Sequence, residues 1–173
     1  MADVYIVVYS LLGILICLPA LLMALNLLMP QITSRIETRL EQTPGRSFFL
    51  GLPVTAVFLL WIAITADVPS GVVRGTAFVV AFMGMGLGTL GAAGMSRLLA
   101  KRITLLAKPS SEAMNWLRGA VVYELSCLFP LVGWFIFAPL VGITVVGAAV
   151  FGLLGWLPRT TVGSNQLPVV SNQ

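Results

Sequence analysis

The stretch from Gly119 to Leu157 constrains this chain most, because it is nearly all apolar and Glu124 is its only charge. As one helix rising 1.5 Å per residue it would measure roughly 58 Å, about twice the ~30 Å hydrocarbon core of a bilayer. Pro130, Gly133 and Pro139 interrupt it. The stretch is therefore too long for one plain span and barely long enough for two. We predict a break at Pro130–Gly133.

Composition places the chain in a membrane. Hydrophobic residues make up 58% and charged residues 9% of the sequence, and the mean hydropathy is +1.01. Soluble domains carry about 25% charged residues. Continuous apolar runs lack the alternation of a membrane β-barrel, and open strands do not exist in lipid. We therefore predict an all-α integral membrane protein.

Four apolar blocks, 4–29, 47–66, 76–100 and 119–157, form one predicted helical membrane domain over residues 1–157. The first basic residue of the chain is Arg35, which follows the first block. A signal peptide begins with a basic region, so we interpret the first block as a retained helix. In the last block we expect a half or re-entrant helix up to Phe129, then one full span from Trp134 to Trp156. Residues 158–173 form a predicted polar tail.

Charge predicts the orientation. Eight of the ten basic residues fall on one side if each of the first three blocks crosses once. The positive-inside rule then puts loops 30–46 and 101–118 in the cytoplasm and the N-terminus outside. A single crossing by the last block puts the tail outside. The predicted location is a bacterial cytoplasmic membrane or a thylakoid membrane.

Residues 31–43 predict a short amphipathic helix on the cytoplasmic membrane surface. Three aliphatic residues recur at four-residue spacing and share one face, while charged residues take the others. A helical extension of block one is the alternative, but Pro30 favours a break. The residues assigned to this surface helix are Ile32, Arg35, Ile36, Arg39 and Leu40.

Glycines form two predicted packing faces. In block three, Gly84, Gly88 and Gly91 fall within about 60° of one another at 100° per residue. Gly147 and Gly152 belong to a similar set in block four. Small residues let membrane helices approach closely. Packing of blocks three and four within the chain and association with a second protein both remain open.

Glu124 is the one charge inside an apolar block, and an intramembrane carboxylate is a functional hypothesis by default. Because Arg118 is only six residues away, we expect Glu124 near the interface rather than at depth. We interpret it as a polar contact to a neighbouring helix or subunit. Ion or proton handling is the sharper alternative, but no second intramembrane acid or base is available for a relay.

The sequence offers few candidate catalytic residues. There is no histidine, and the six acidic residues are scattered, so no nucleophile–base pair, metal cluster or nucleotide loop can be assembled. We predict a protein that is not an enzyme and that takes no cofactor, with room for bound lipid. The basic residues lie in short loops between spans, which excludes nucleic acid as a partner.

Two segments carry a family resemblance. One runs from Leu28-Met29-Pro30-Gln31 through Arg46-Ser47-Phe48-Phe49-Leu50-Gly51-Leu52. The other, Leu125-Ser126-Cys127-Leu128-Phe129-Pro130-Leu131-Val132-Gly133-Trp134, is similar to an "LSLIPFLGW" type sequence. Together they resemble the multi-span membrane module of bacterial polymer-forming, bactofilin-related cytoskeletal proteins. The resemblance implies a membrane anchor or scaffold without catalytic residues, often following an extracytoplasmic β-helical domain. The polymer-forming domain has no counterpart in this sequence, so polymerisation is not implied.

The function predicted from the sequence is that of a non-enzymatic, multi-pass scaffold or accessory subunit. Its expected partners are membrane lipids and either other integral membrane proteins or a second copy. One alternative is an accessory subunit of a bioenergetic complex, photosynthetic for example. The other is a small transporter or channel component, for which Glu124, Asn26 and Thr65 are the polar groups on offer.

Overall fold

The computed structural model describes residues 2–105 and 111–155, and 91% of these are helical, with no strand among them. This confirms the all-helical class. The predicted tail and Trp156 lie outside the described residues. The helices are α1 Ala2–Leu28, α2 Pro30–Gln42, α3 Pro44–Ala66, α4 Gly71–Thr104, α5 Glu112–Leu128, a π-helical segment Gly133–Phe137, and α6 Ala138–Leu153.

Four of the described helical segments are long and apolar enough to cross a membrane: Val4–Leu28, Pro44–Ala66, Gly71–Thr104 and Gly133–Leu153. They correspond to the four predicted blocks. Several boundaries differ: α3 begins at Pro44 rather than residue 47, and α4 covers 71–104 rather than 76–100. The last span, Gly133–Leu153, covers only the second part of block 119–157. A helix of 34 residues is roughly 51 Å long, so α4 exceeds a bilayer core. Its polar end, with Arg97 and Lys101, extends past the apolar region.

Prolines and a serine set the helix starts. Pro30 and Pro44 occupy first-turn positions of α2 and α3, where a missing backbone N–H costs no hydrogen bond. The Ser111 hydroxyl accepts from the Met114 N–H at 3.4 Å and caps α5. The break at Pro30 thus makes α2 a separate helix. We call the end of the bundle that holds α2 the inner end, and the opposite end, with the α3–α4 loop, the outer end.

The structure corrects the expectation that α2 lies on a membrane surface with its apolar face in lipid. Ile36 is 0% exposed, and with Leu40 it packs in a core with Leu98 and Val145. The Ile36 side chain lies between α4 and α6, in contact with Gly94 on one and near Gly152 on the other. The four-residue spacing is the same for a helix that faces lipid and for one that faces its own bundle.

Three glycines allow close contacts between α6 and its neighbours α3 and α4. A Cβ atom at Gly51 would overlap the Ile143 carbonyl, and one at Gly147 would overlap the Ser47 carbonyl, so α3 and α6 touch backbone to backbone. Gly91 of α4 lies in the same way against the α6 backbone at Val145. Small residues at these crossings permit the separation. Helix α6 therefore packs directly against both α3 and α4.

The last apolar block is a helical hairpin. Helix α5 begins at the inner end, where Trp116 lies 5.0 Å from the Arg97 guanidinium of α4. Helix α6 ends there too, because the Phe151 ring lies 4.4 Å from the Arg39 guanidinium of α2. Between them the chain reverses at residues 129–132, with Leu131 in the left-handed region at φ 66°.

This reversal brings the described end of the chain back to the inner end, whereas the prediction had the last block cross once; the predicted tail itself lies outside the described residues. Gly133 packs back against the carbonyls of Ser126 and Cys127, which turns the chain towards its starting end. Since Pro139 has no N–H and crowds the carbonyl four residues earlier, the start of the returning arm widens into a π-helical turn, closed by the Ala138 N–H on the Gly133 carbonyl. The described chain therefore ends at the inner end.

Candidate functional site

The inner end is organised around Arg97 of α4. Its guanidinium pairs with Glu37 at 3.4 Å and donates to the Thr33 hydroxyl at 3.0 Å and the Pro30 carbonyl at 3.3 Å. The ring of Trp116 covers it from α5. These contacts join α2, α4 and α5 through one side chain. The side chains of Arg97 and Glu37 are only 16–17% exposed, so removing one partner should cost more than in an exposed pair.

A second pair at this end is exposed. Lys101 donates to the Glu41 carboxylate at 2.8 Å, and both side chains remain about half accessible. Glu37 differs, because burial raises its pKa although Arg97 and Lys101 oppose the shift. The acidic residues of α2 therefore face the basic residues of α4, and the Arg97–Glu37 pair is the less exposed of the two ion pairs.

Two buried polar groups lie deeper, on the faces of α1 and α5. Asn26 donates to the Ser96 hydroxyl at 3.2 Å, which links α1 to α4, while the Asn26 Oδ1 is buried without a hydrogen bond. Glu124 is 3% exposed, and neither carboxylate oxygen has a hydrogen-bond partner in the part of the chain that the structure describes. It follows Ala120 by one turn and so lies on the face of α5 that packs against α1 and α4. The structure thus places Glu124 inside the bundle, without the predicted hydrogen bond to a neighbouring helix among the described residues.

The outer half of α1 packs against nothing in the described chain. Every side chain that the structure describes between Val4 and Cys17 is exposed, including Tyr9 at 70%. Packing begins only at Leu18 and Leu22, which contact α4 and α5. The outer half of α4 likewise exposes large side chains such as Phe82. The bundle is thus closed at the inner end and open at the outer end.

The glycines named from the sequence divide between two situations. Gly91, Gly147 and Gly152 are buried at contacts within the chain. Gly88 has no atom within 4 Å of an added Cβ, and Gly84 meets only the Phe58 ring at 3.9 Å. Three of the predicted glycines therefore pack against other helices of the same chain, and the other two are left without close contacts.

A cavity of about 590 Å³ lies where the open and closed halves meet. Its wall combines residues of α1, α3, α4, α5 and α6 and is almost entirely apolar. Gly88 and Gly142 both line it, and neither has an atom within 4 Å of an added Cβ. The polar groups of the wall include Thr55, whose hydroxyl is buried without a partner. The size falls within the range of about 300–1,000 Å³ typical of ligand pockets.

Comparison with known proteins gives no relative, so function is inferred from the geometry described above. No family model, curated protein or solved structure matches the chain. The resemblance to the bactofilin-related module therefore stays a prediction. Among the described residues, no group of three cysteine or acidic side chains is placed to hold a metal ion.

Sequence reasoning missed several residues of this site. From the sequence, Arg97 was only one of eight basic residues that set the orientation, yet its side chain contacts both α2 and α5 at the inner end. One signal was available in the sequence. Thr33 and Glu37 are four residues apart, so they lie on one face of α2 and can both contact a single side chain of a neighbouring helix. Nothing in the sequence paired Asn26 with Ser96, which are 70 positions apart.

Proposed function

We propose that this protein is a non-enzymatic membrane scaffold or accessory subunit that receives a transmembrane helix of a partner at its open outer half. The observation that carries the proposal is the outer half of α1, which no other described part of the chain covers. Lipid alone can solvate such a helix, so the uncovered glycines add the second support. Gly88 and Gly142 face one cavity beside it, where a partner backbone could approach closely.

The proposed orientation puts the inner end in the cytoplasm. Seven described basic residues lie at the inner end, namely Arg35, Arg39, Arg46, Arg97, Lys101, Arg102 and Arg118, whereas Arg74 lies near the outer end. This asymmetry supports a cytoplasmic inner end by the positive-inside rule. The N-terminus is then outside and the described chain ends inside. The membrane is that of a bacterial cell or a thylakoid, and the scaffold role agrees with the anchor implied by the family resemblance.

Replacing Gly88 with Leu tests the scaffold proposal. The side chain would fill part of the cavity and prevent close approach, so we expect the complex formed by the wild type to dissociate to the 18.5 kDa chain. The measurement is native mass spectrometry after extraction from native membranes into mild detergent, with identification of the associated chain. A second copy or a different protein would each fit the proposal.

Gly86→Leu is the matched control. Gly86 lies two residues away on α4, on a different face, and also has no atom within 4 Å of an added Cβ. An added Cβ meets no atom within 4 Å at either position, so we expect both variants to fold. If the two variants assemble alike, or if the wild type is already a single chain in native membranes, the scaffold proposal fails.

Transport is the second candidate, and Glu124 is the observation that favours it. A buried carboxylate without hydrogen bonds is costly to keep ionised, and intramembrane acids are often sites of proton or ion binding. If the protein transports, Glu124→Gln should reduce ion or proton flux in proteoliposomes at least tenfold while leaving assembly intact. If wild-type proteoliposomes show no flux above empty vesicles, this candidate is rejected.

A further inference from the structure

Helix α1 is held to the bundle by its inner half alone. Leu18, Leu22 and Leu25 pack against α4 and α5, whereas every described side chain from Val4 to Cys17 is exposed. Pro19 lies at the boundary between the two halves, and its missing N–H removes one backbone hydrogen bond of the helix. Proline inside a helix is a common cause of a kink. Helix α1 can therefore change its contact with α4 and α5 at a defined hinge.

The face of α5 that meets α1 contains a carboxyl group without a partner. Ala120 packs with Leu22 of α1, and Glu124 follows Ala120 by one turn on the same face. Glu124 is almost fully buried, and neither of its oxygens has a hydrogen bond within the described chain. Asn26, one turn from Leu22, likewise has an Oδ1 that is buried without a hydrogen bond. The contact of α1 with the bundle thus includes polar atoms that water would satisfy if α1 separated.

The neighbouring elements carry no cation near Glu124. Helix α5 packs against α1, α4 and the π-helical segment. Between the charged ends of these elements, the ionisable side chains are Tyr5, Tyr9 and Cys17 of α1 and Tyr123 and Cys127 of α5. None of the five can become positively charged. The nearest basic residues along α4 and α5, Arg97 and Arg118, belong to the inner end. An ionised Glu124 would be buried without a counter-charge, which is costly, so the observed packing fits the protonated acid.

We propose that Glu124 is a proton-binding site whose occupancy controls the packing of α1. In the protonated form, α1 lies against α4 and α5 as observed. Loss of the proton to water leaves a carboxylate that takes up water molecules, and the inner half of α1 then separates from α5 about the hinge at Pro19. The proposal goes beyond the two functions considered above, because it requires neither a partner chain nor net flux of ions.

A distance measurement across the bundle tests the site. One spin label is attached to the native Cys17 of α1 and the other to Leu60→Cys on α3, both at exposed positions. Cys127→Ser removes the only other thiol of the chain. In lipid nanodiscs, double electron–electron resonance should give one distance at about pH 5. At about pH 10, a second distance longer by roughly 5 Å, half of a helix diameter, should appear.

Two variants of the labelled protein assign the change to Glu124. Glu124→Gln has the size and neutrality of the protonated acid, so it should show only the shorter distance at both pH values. Glu112→Gln removes an exposed carboxyl at the start of the same helix, so it should respond as the labelled parent does. The infrared band of a protonated carboxyl, identified by its absence in Glu124→Gln, should disappear over the same pH range.

The response of the labelled parent needs no change at Glu124, so it decides the proposal even if a variant does not fold. An unchanged distance in this parent from about pH 5 to about pH 10 would overturn the proposal. The same change in Glu124→Gln would also overturn it, and so would a carboxyl band that persists while α1 moves.

Discussion

Gly147→Ala should destabilise the bundle although alanine is the better helix former. The added methyl group would overlap the Ser47 carbonyl of α3, which cannot move without shifting a whole helix. We expect a loss of about 1–3 kcal/mol in the free energy of unfolding, the usual cost of overpacking. A change from Gly to Ala in an open helical position stabilises by up to about 1 kcal/mol, so the steric effect must exceed that gain.

Gly142→Ala, in the same helix α6, supplies the comparison. An added Cβ at Gly142 meets no atom within 4 Å, so this variant should be as stable as the wild type or more stable. Both can be followed by graded SDS unfolding in mixed micelles, monitored by tryptophan fluorescence. Equal stability of the two alanine variants would show that α3 and α6 do not touch at Gly51 and Gly147.

Arg97→Met should have the second large effect, because one side chain joins three helices. The substitution removes the pair with Glu37, the hydrogen bonds to Thr33 and Pro30, and the stacking on Trp116. Removing one partner of a fully buried pair costs about 3–5 kcal/mol. The pair here keeps 16–17% exposure of its side chains, so we expect a smaller loss of about 2 kcal/mol.

Lys101→Met provides the matched exposed pair on the same helix. The Lys101–Glu41 contact is open to solvent, so its loss should cost no more than about 1 kcal/mol. Adding Glu37→Gln to Arg97→Met should restore part of the stability, since it removes the carboxylate left without its partner. The readout is again SDS unfolding. If both single variants lose the same stability, Arg97 is not the centre of the network.

The sequence alone was sufficient for the helical class and the four long apolar helices, because these follow from apolar length. The break at Pro130–Gly133 was also predictable, since proline and glycine act locally. The direction of the chain after the break was not predictable, because it depends on the packing of Gly133 against Ser126 and Cys127. Local sequence specifies that the helix ends there, and tertiary contacts specify where the next one goes.

Individual residues of the candidate site were predictable from the sequence, but their packing environment was not. The glycine spacing marked Gly88 and Gly91 as one face, but only the neighbouring helices decide that Gly91 is buried against α6 and Gly88 is left open. The same holds for α2, where Ile36 and Leu40 have the spacing of a lipid-facing helix and are buried in protein. Glu124 stood out as a lone charge, but its lack of any hydrogen-bond partner depends on the packing of α5.

The hairpin of α5 and α6 has a consequence for how the protein enters its membrane. Since both of its ends lie at the inner end, the proposed orientation would require only the short apolar turn at residues 129–132 to move away from the cytoplasmic side. In that orientation the hairpin could insert late, as one unit, against α3 and α4.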